Sequence, residues 1–326
     1  MNEYSRKQHA KLTLVIQNFF IKTVQVVNQA RILGRVDLTS PTSHDDQKTN
    51  KWFNLCLSFS EDAFKEDIRL WKQASSLQDV PPMIVETYLD ISGLGPRQAL
   101  VLYDTNGNPV TVAKGASKKH EVVLERWLVE FDRDVLLGTV VDEVPFIYKQ
   151  AIILIRNIYT LVRLMPAYKL ARKLAKLNGS SSTLLLLFGV RVADGSQTIS
   201  LKGRVGLSKP ILQLHQFPEQ SHLVQREFEP ISTTLGTLKV SVAYRIQHNF
   251  DVHDLEEVLS SHFLMNDQNS TPVVGVTTPK RTSLTSMSIS PCLSLKDQPQ
   301  QAQGPGLGHN HHLQHLHASQ HLLLPQ

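Results

Sequence analysis

The chain has 326 residues, of which 41% are apolar, 19% charged and 7% aromatic. That is enough to bury a sizeable core, and the balance excludes an acidic disordered chain, a collagen-like chain and a disulfide-built one. Lys and Arg outnumber Asp and Glu by 34 to 29, a net charge of +5. The excess is local. Residues 1–35 carry Arg6, Lys7, Lys11, Lys22, Arg31 and Arg35 against Glu3 alone, and a second basic run lies between Lys149 and Lys176. The middle is otherwise close to neutral, which argues against nucleic acid as a partner.

Cys56 and Cys292 lie far apart with no Cys or His at zinc spacing, so the expected compartment is a reducing one and no metal site is expected. The N-terminus lacks the apolar stretch of a secretory signal. The most apolar runs, Ala151–Ile155 and Leu184–Val190, end at Arg156 and Arg191. Both are well short of the roughly 20 residues a membrane-crossing helix needs. The chain is expected to be soluble and intracellular.

From Arg6 to Leu33 apolar residues recur with the helical period, and Leu14, Ile21 and Val26 widen the stripe until burial on most sides is expected. Lys11, Asn18, Lys22, Gln25 and Gln29 form the remaining polar strip, and Gly34 suits the end of the helix. Val36–Lys51 reads as a polar loop and Glu61–Gln73 as a second, shorter amphipathic helix carrying Ala63, Phe64, Ile68 and Trp71. Pro81 and Pro82 introduce a strand over Met83–Ile91. Gln98–Asp104, the Asn106-Gly107 turn and Val110–Val112 form a hairpin. Glu121–Phe131 alternates as a strand.

A long helix over Val144–Lys176 follows Asp142 and Glu143, with Lys and Arg but no acid along it, and Pro166 predicts a kink or restart. Thr183–Ala193 reads as a continuous apolar strand and Leu201–Pro230 as a glycine- and proline-punctuated excursion. Thr233–Tyr244 reads as a strand and Val252–Phe263 as a short amphipathic helix. From about Asn266 more than half of the residues are Gln, Ser, Thr, Pro or His, and none is aromatic. Such a segment cannot bury enough apolar surface to offset its ordering entropy. The expected organisation is one α+β domain over 1–265 and a disordered tail over 266–326.

Enzymatic signatures are missing: there is no phosphate loop, HExxH, CxxC or GxSxG. Gly93-Leu94-Gly95 has Gln98 where a dinucleotide fingerprint needs its third glycine, so it reads as a turn. His120-Glu121 and His253-Asp254 read as solvated ends of elements, and the tail histidines from His309 to His321 as low complexity. No catalytic residue and no cofactor are expected. In the tail, Thr271, Thr278 and Ser290 each precede proline and Ser283 follows Lys280-Arg281-Thr282, so all four are candidate phosphorylation sites. Arg6, Lys7 and Lys11 before an apolar stretch are candidates for contact with an acidic phospholipid surface.

Four blocks carry a family resemblance. They are Phe19-Phe20-Ile21-Lys22 on through Arg31, Trp52-Phe53-Asn54-Leu55, Arg163-Leu164-Met165-Pro166-Ala167-Tyr168 through Lys173, and Leu235-Gly236-Thr237 through Arg245. Together, and in this order, they resemble the autophagy-related protein 13 family; Val36–Thr49 and Leu201–Phe228 match poorly. The resemblance implies a HORMA domain, in which helices pack on an antiparallel sheet and a C-terminal safety belt wraps its edge. It also implies a non-enzymatic scaffold subunit of the autophagy-initiating protein kinase complex, working in the cytoplasm and at the autophagosome assembly site. The partners it implies are a second HORMA protein, autophagy-related protein 101 in animals, the serine/threonine kinase and its coiled-coil scaffold subunit. Family tails are long, disordered and phosphorylated. This one ends at Gln326 without an aromatic, so a short or divergent form is expected, and Trp52–Leu55, although it fits an aromatic-x-x-aliphatic motif, reads as core.

Pairing with the second HORMA protein is expected at Leu161, Arg163 and Tyr168, because Arg163 stands just before the proline break with no acid on its own helix. Two rival readings are a peripheral membrane binder acting through the basic N-terminus, and a HORMA protein of mitosis or meiosis that captures a peptide.

Overall fold

Acid at its start and base at its end suit helix α1, Glu3–Arg31, to its own dipole. In this computed structural model the described residues are 3–32, 51–57, 64–74, 77, 80–133, 144–178, 186–212 and 222–256. The chain divides into two units, Met1–Thr271 and Pro272–Gln326. Thr271, Thr278, Ser283, Ser290, Cys292 and the tail histidines lie outside the described residues, as does most of the loop read at Val36–Lys51.

The buried stripe of α1 differs from its expected form in two ways. Leu14 is 47% exposed, while Lys22 and Gln25, assigned to the solvent-facing strip, are buried. For Lys22 the cause is the segment 51–57. It lies over the polar side of the helix, where the Leu55 carbonyl accepts a 2.8 Å hydrogen bond from Lys22 Nζ. Phe53 fills the space between helices: its ring sits 5.9 Å from Phe19 and stacks 5.4 Å from Tyr148. The expected helix at Glu61–Gln73 contracts to α2, Arg69–Lys72, with no side-chain cap at its start. Phe64, Ile68 and Trp71 are nonetheless buried, and Trp71 Nε1 donates to the Pro81 carbonyl at 2.9 Å.

The strands are β1 Met83–Asp90, β2 Gln98–Tyr103, β3 Pro109–Lys114, β4 Glu121–Asp132, β5 Leu187–Asp194, β6 Arg204–Val205, β7 Leu223–Glu227, β8 Ile231–Thr233, β9 Gly236–Arg245 and β10 Phe250–Asp254. The larger sheet runs β5-β1-β4-β9-β7, with β6 beside β4 and β8 beside β9; the smaller runs β10-β2-β3. Pairing is antiparallel except between β4 and β6. The predicted Asn106-Gly107 turn closes the β2–β3 hairpin, and Gly107 takes the positive φ of 82° that glycine adopts without strain.

Three expectations need correction. The apolar run ending at Ala193 becomes β5, an edge strand paired to β1, in which Val192 alone is buried. The excursion Leu201–Pro230 contains strands β6 and β7, and Arg245 ties it down: its Nε donates to the Val123 carbonyl at 2.9 Å and its Nη2 to the Gly206 carbonyl. Burial pushes the Arg245 guanidinium down to about 10. The helix expected over Val252–Phe263 starts later, because Phe250–Asp254 form β10 against β2; Leu255 and Glu256 are helical, and residues 257–263 lie outside the described residues.

The long basic helix is two. Helix α3, Val144–Leu164, and helix α4, Pro166–Asn178, meet at the predicted proline, with a bend of 59° between them. Pro166 is the first residue of α4, where a missing N–H costs nothing. Among the described residues no single helix is long and apolar enough to cross a membrane. One apolar cluster joins α1 and α3 to alternate residues of β4 (Trp127, Val129, Phe131) and β9 (Leu238, Val240, Val242, Tyr244). A second joins Ala167, Leu170 and Leu174 of α4 to β2, β3 and Phe250.

Candidate docking surface

Helix α3 turns Ile147, Ala151, Leu154, Ile155, Ile158 and Val162 inward, at the helical spacing of a core-facing stripe. Of its remaining large apolar side chains, Tyr148, Ile152, Tyr159 and Leu161 lean on the same core, and three point outward. Phe146, Ile153 and Leu164 are 59%, 61% and 69% exposed. Their separations of seven and eleven residues put all three on one line along the helix, about 27 Å from end to end at 1.5 Å per residue. Lys149 and Arg156 are exposed on the same helix. An exposed apolar line edged by base is a surface suited to another protein, since isolated exposed apolar residues are ordinary and aligned ones are not.

Leu161, Arg163 and Tyr168 fall at the lower end of this line, all half-buried. Leu161 and Tyr168 lean on the main core. Arg163 is held rather than free: Nη1 donates to the Tyr159 carbonyl and Nη2 to Gln29 Oε1, both at 3.0 Å, and the guanidinium lies 3.4 Å over the Tyr159 ring. Its lack of an acid on its own helix is therefore met by α1 and by an aromatic face. Burial pulls its pKa below the ordinary arginine value, opposed by Tyr159 and Tyr168, with Arg31 adding to the lowering. Phe146, Ile153 and Leu164 escaped the sequence reading. Their signal was an apolar residue off the inward stripe, recurring at the spacing of a second face.

Arg6, Lys7 and Lys11 are at the opposite end of α1, exposed, with Lys7 paired to Glu3 at 2.7 Å. Trp52 and Leu55 are half-buried and Phe53 fully buried, in accord with a core role for that block. The reading of His120-Glu121 and His253-Asp254 as solvated ends holds for His120 and Asp254, which are exposed, and needs correction at Glu121 and His253. Glu121 is gripped by Arg191 at 2.6 Å and Arg204 at 2.8 Å, and His253 Nε2 lies 2.7 Å from the Tyr103 hydroxyl. Arg126, Arg191 and Arg204 also pair with the fully buried Glu86. These are pairings across strands, and they fix β1, β4, β5 and β6 together. Among the described residues no three His, Cys, Asp or Glu side chains gather into a metal-binding group.

Burial lowers the Lys22 pKa from 10.5 to about 8, partly offset by Cys56. Below pH 8 the group is charged folded and unfolded alike. Between 8 and 10.5 the unfolded chain holds the proton more tightly, so folding is favoured increasingly as pH rises. Urea unfolding of the wild type and of Lys22→Met near neutrality and near the upper limit will show the difference. The wild type should gain stability relative to the variant with rising pH, and parallel curves would contradict the burial of a charged Lys22.

The α3–sheet–belt arrangement has a solved counterpart. A structure described as an Atg13 HORMA domain superposes with a TM-score of 0.54 at 30% identity, over 74% of this chain and 96% of that one. The fold is thus a HORMA domain: helices against an antiparallel sheet, with the chain after α4 returning along its edge. The family model for autophagy-related protein 13 matches residues 16–250. Autophagy-related protein 13 of Scheffersomyces stipitis is 49% identical over 304 residues, which is 90% of this chain and 38% of that protein. Its counterpart in Debaryomyces hansenii is also 49% identical, over 82% of this chain and 32% of that protein. The chain belongs to the autophagy-related protein 13 family. It spans about a third of the length of these relatives, and the position of its last residue therefore says nothing about the extent of the tail.

Proposed function

We propose that this chain is a non-catalytic scaffold domain of the autophagy-initiating kinase assembly, working in the cytoplasm and at the site of autophagosome formation. Its activity is docking. The α3 line of Phe146, Ile153 and Leu164, with Leu161, Arg163 and Tyr168 at its end, receives a second HORMA protein. The exposed apolar line on a helix whose other face is core carries this reading, and family membership selects autophagy over a mitotic or meiotic role. The kinase and its coiled-coil scaffold subunit are its further partners in that assembly. Phosphorylation at Thr271, Thr278, Ser283 or Ser290 would add about two negative charges each and so create or remove electrostatic contacts.

The double substitution Ile153→Asp with Leu164→Asp tests the docking line. Both residues are exposed, so the melting temperature should stay that of the wild type. Binding of the purified second HORMA protein, read by calorimetry, should weaken at least about thirtyfold, the equivalent of one interface hot spot of about 2 kcal/mol. Unchanged affinity with an intact fold would remove α3 as the pairing face. Arg163→Asp is the companion for the arginine: undiminished pairing at an unchanged melting temperature would exclude Arg163 from the interface.

A further inference from the structure

Three loops meet at the end of the larger sheet where β4 begins. Leu201-Lys202-Gly203-Arg204 is a turn closed by the Arg204 N–H on the Leu201 carbonyl at 3.2 Å, and Gly203 takes the positive φ of 74° that the third position of such a turn requires. Arg204, whose side chain is 6% exposed, fastens the turn again by donating from Nη1 to the Ser200 carbonyl at 3.1 Å. The β3–β4 loop packs on one side. Its His120 N–H donates to the Gly203 carbonyl at 2.8 Å, and its Lys118 carbonyl lies 3.3 Å from where a Cβ on Gly203 would stand. On the other side a turn closes from the Lys209 N–H to the Gly206 carbonyl at 3.2 Å, and a Cβ on Gly206 would stand 3.2 Å from Leu201 Cδ2.

These loops present one leucine and a group of cations. Leu201 is 60% exposed. Lys118, Lys202 and Lys209 are exposed and Lys119 is half-buried, and among the described residues none of the four side chains has an ion-pair or hydrogen-bond partner. Residues 115–120, 196–203 and 206–210 include no Asp or Glu. The acids beside them in the sheet are engaged. Glu121 is held by Arg191 and Arg204, and Asp90, which faces Glu121 from β1, accepts the Ser92 N–H at 2.9 Å. A lone exposed leucine is ordinary, but one fixed in a turn among unpaired cations is not.

We infer that this end of the domain is a membrane-contact surface, separate from the α3 line, and that its occupant is a bilayer with anionic headgroups. A soluble anion would satisfy the lysines and leave Leu201 in water. The interface of an anionic bilayer answers both, because phosphates for the lysines lie directly above acyl chains for the leucine. The doubly fastened turn already holds Leu201 outward, so little conformational freedom is lost when it inserts. At the N-terminus, by contrast, Lys7 is already paired with Glu3.

The test uses the full chain and flotation with phosphatidylcholine vesicles, with and without phosphatidylserine. The wild type should float only with the phosphatidylserine vesicles, and less with added salt. The variant K118E/K202E/K209E should bind them at least about tenfold more weakly. L201S, which leaves the charge unchanged, should bind about tenfold more weakly through the lost burial of one leucine. The charge-matched control R6E/K7E/K11E should stay within about twofold of the wild type. Circular dichroism should give all three variants the wild-type fold. Wild-type binding by L201S would overturn the bilayer assignment, as would a wild type that fails to float but retains polyglutamate, which would reassign the surface to an acidic protein. Equal losses in the two charge variants would reduce the effect to net charge, and a loss confined to R6E/K7E/K11E would move the contact to α1; either contradicts the proposal. None of these results depends on the α3 pairing.

Discussion

Glu125→Ala should lower the unfolding free energy by about 3–5 kcal/mol, the cost of stranding a buried charge. Arg31 closes α1 and meets Glu125 of β4 through two hydrogen bonds, Nε to Oε2 at 3.0 Å and Nη2 to Oε1 at 2.6 Å. The two side chains are 0% and 1% exposed. Other contacts of Arg31 are weak in comparison: Nη1 to the Ala30 carbonyl at 3.3 Å and Nη2 to Met165 Sδ at 4.0 Å. Removing the carboxylate leaves a guanidinium in the core with no anion, and a domain is typically stable by only about 5–15 kcal/mol. The double variant Arg31→Met with Glu125→Leu should recover most of the loss, because two apolar groups need no partner. Urea unfolding of the three proteins decides the matter. A single variant as stable as the wild type would mean the pair does not hold α1 to the sheet.

Phe53→Ala should cost a similar amount, about 3–5 kcal/mol, through a cavity that rigid neighbours cannot refill. The ring is enclosed by Phe19 and Tyr148, and the Phe53 backbone N–H donates to the Tyr148 hydroxyl at 3.0 Å. Phe53 and Asn54 take φ of 60° and 51°. That left-handed conformation is uncommon for a bulky residue and persists only when its surroundings determine it. With the ring gone, nothing compensates the strain, and the Leu55 carbonyl that receives Lys22 loses its fixed position. The melting temperature should fall by several degrees at least, and a shift of a degree or less would show that this segment is not a structural plug.

The elements legible in the sequence were those whose period and boundaries agreed. Helix α1, the β2–β3 hairpin, β4 and the break at Pro166 each carried both signals. The elements that were misread depend on partners distant in the chain. Phe250 and Val252 became strand because β2 offered an edge, and helical spacing of the following apolar residues concealed it. Lys22 was covered by a segment some thirty residues on, which no local period reveals. Of the candidate docking residues, Leu161, Arg163 and Tyr168 were proposed from the proline break and local charge. Phe146, Ile153 and Leu164 emerged only when the inward face of α3 was known, because a helix with apolar residues on two sides does not declare which side is the core.

Quantitative mass spectrometry of what co-purifies with the tagged chain from starved cells tests the scaffold reading most directly. Subunits of the autophagy-initiating kinase complex should be recovered in stoichiometric amounts. A chain that emerges alone, or accompanied only by proteins unconnected with that complex, would contradict it.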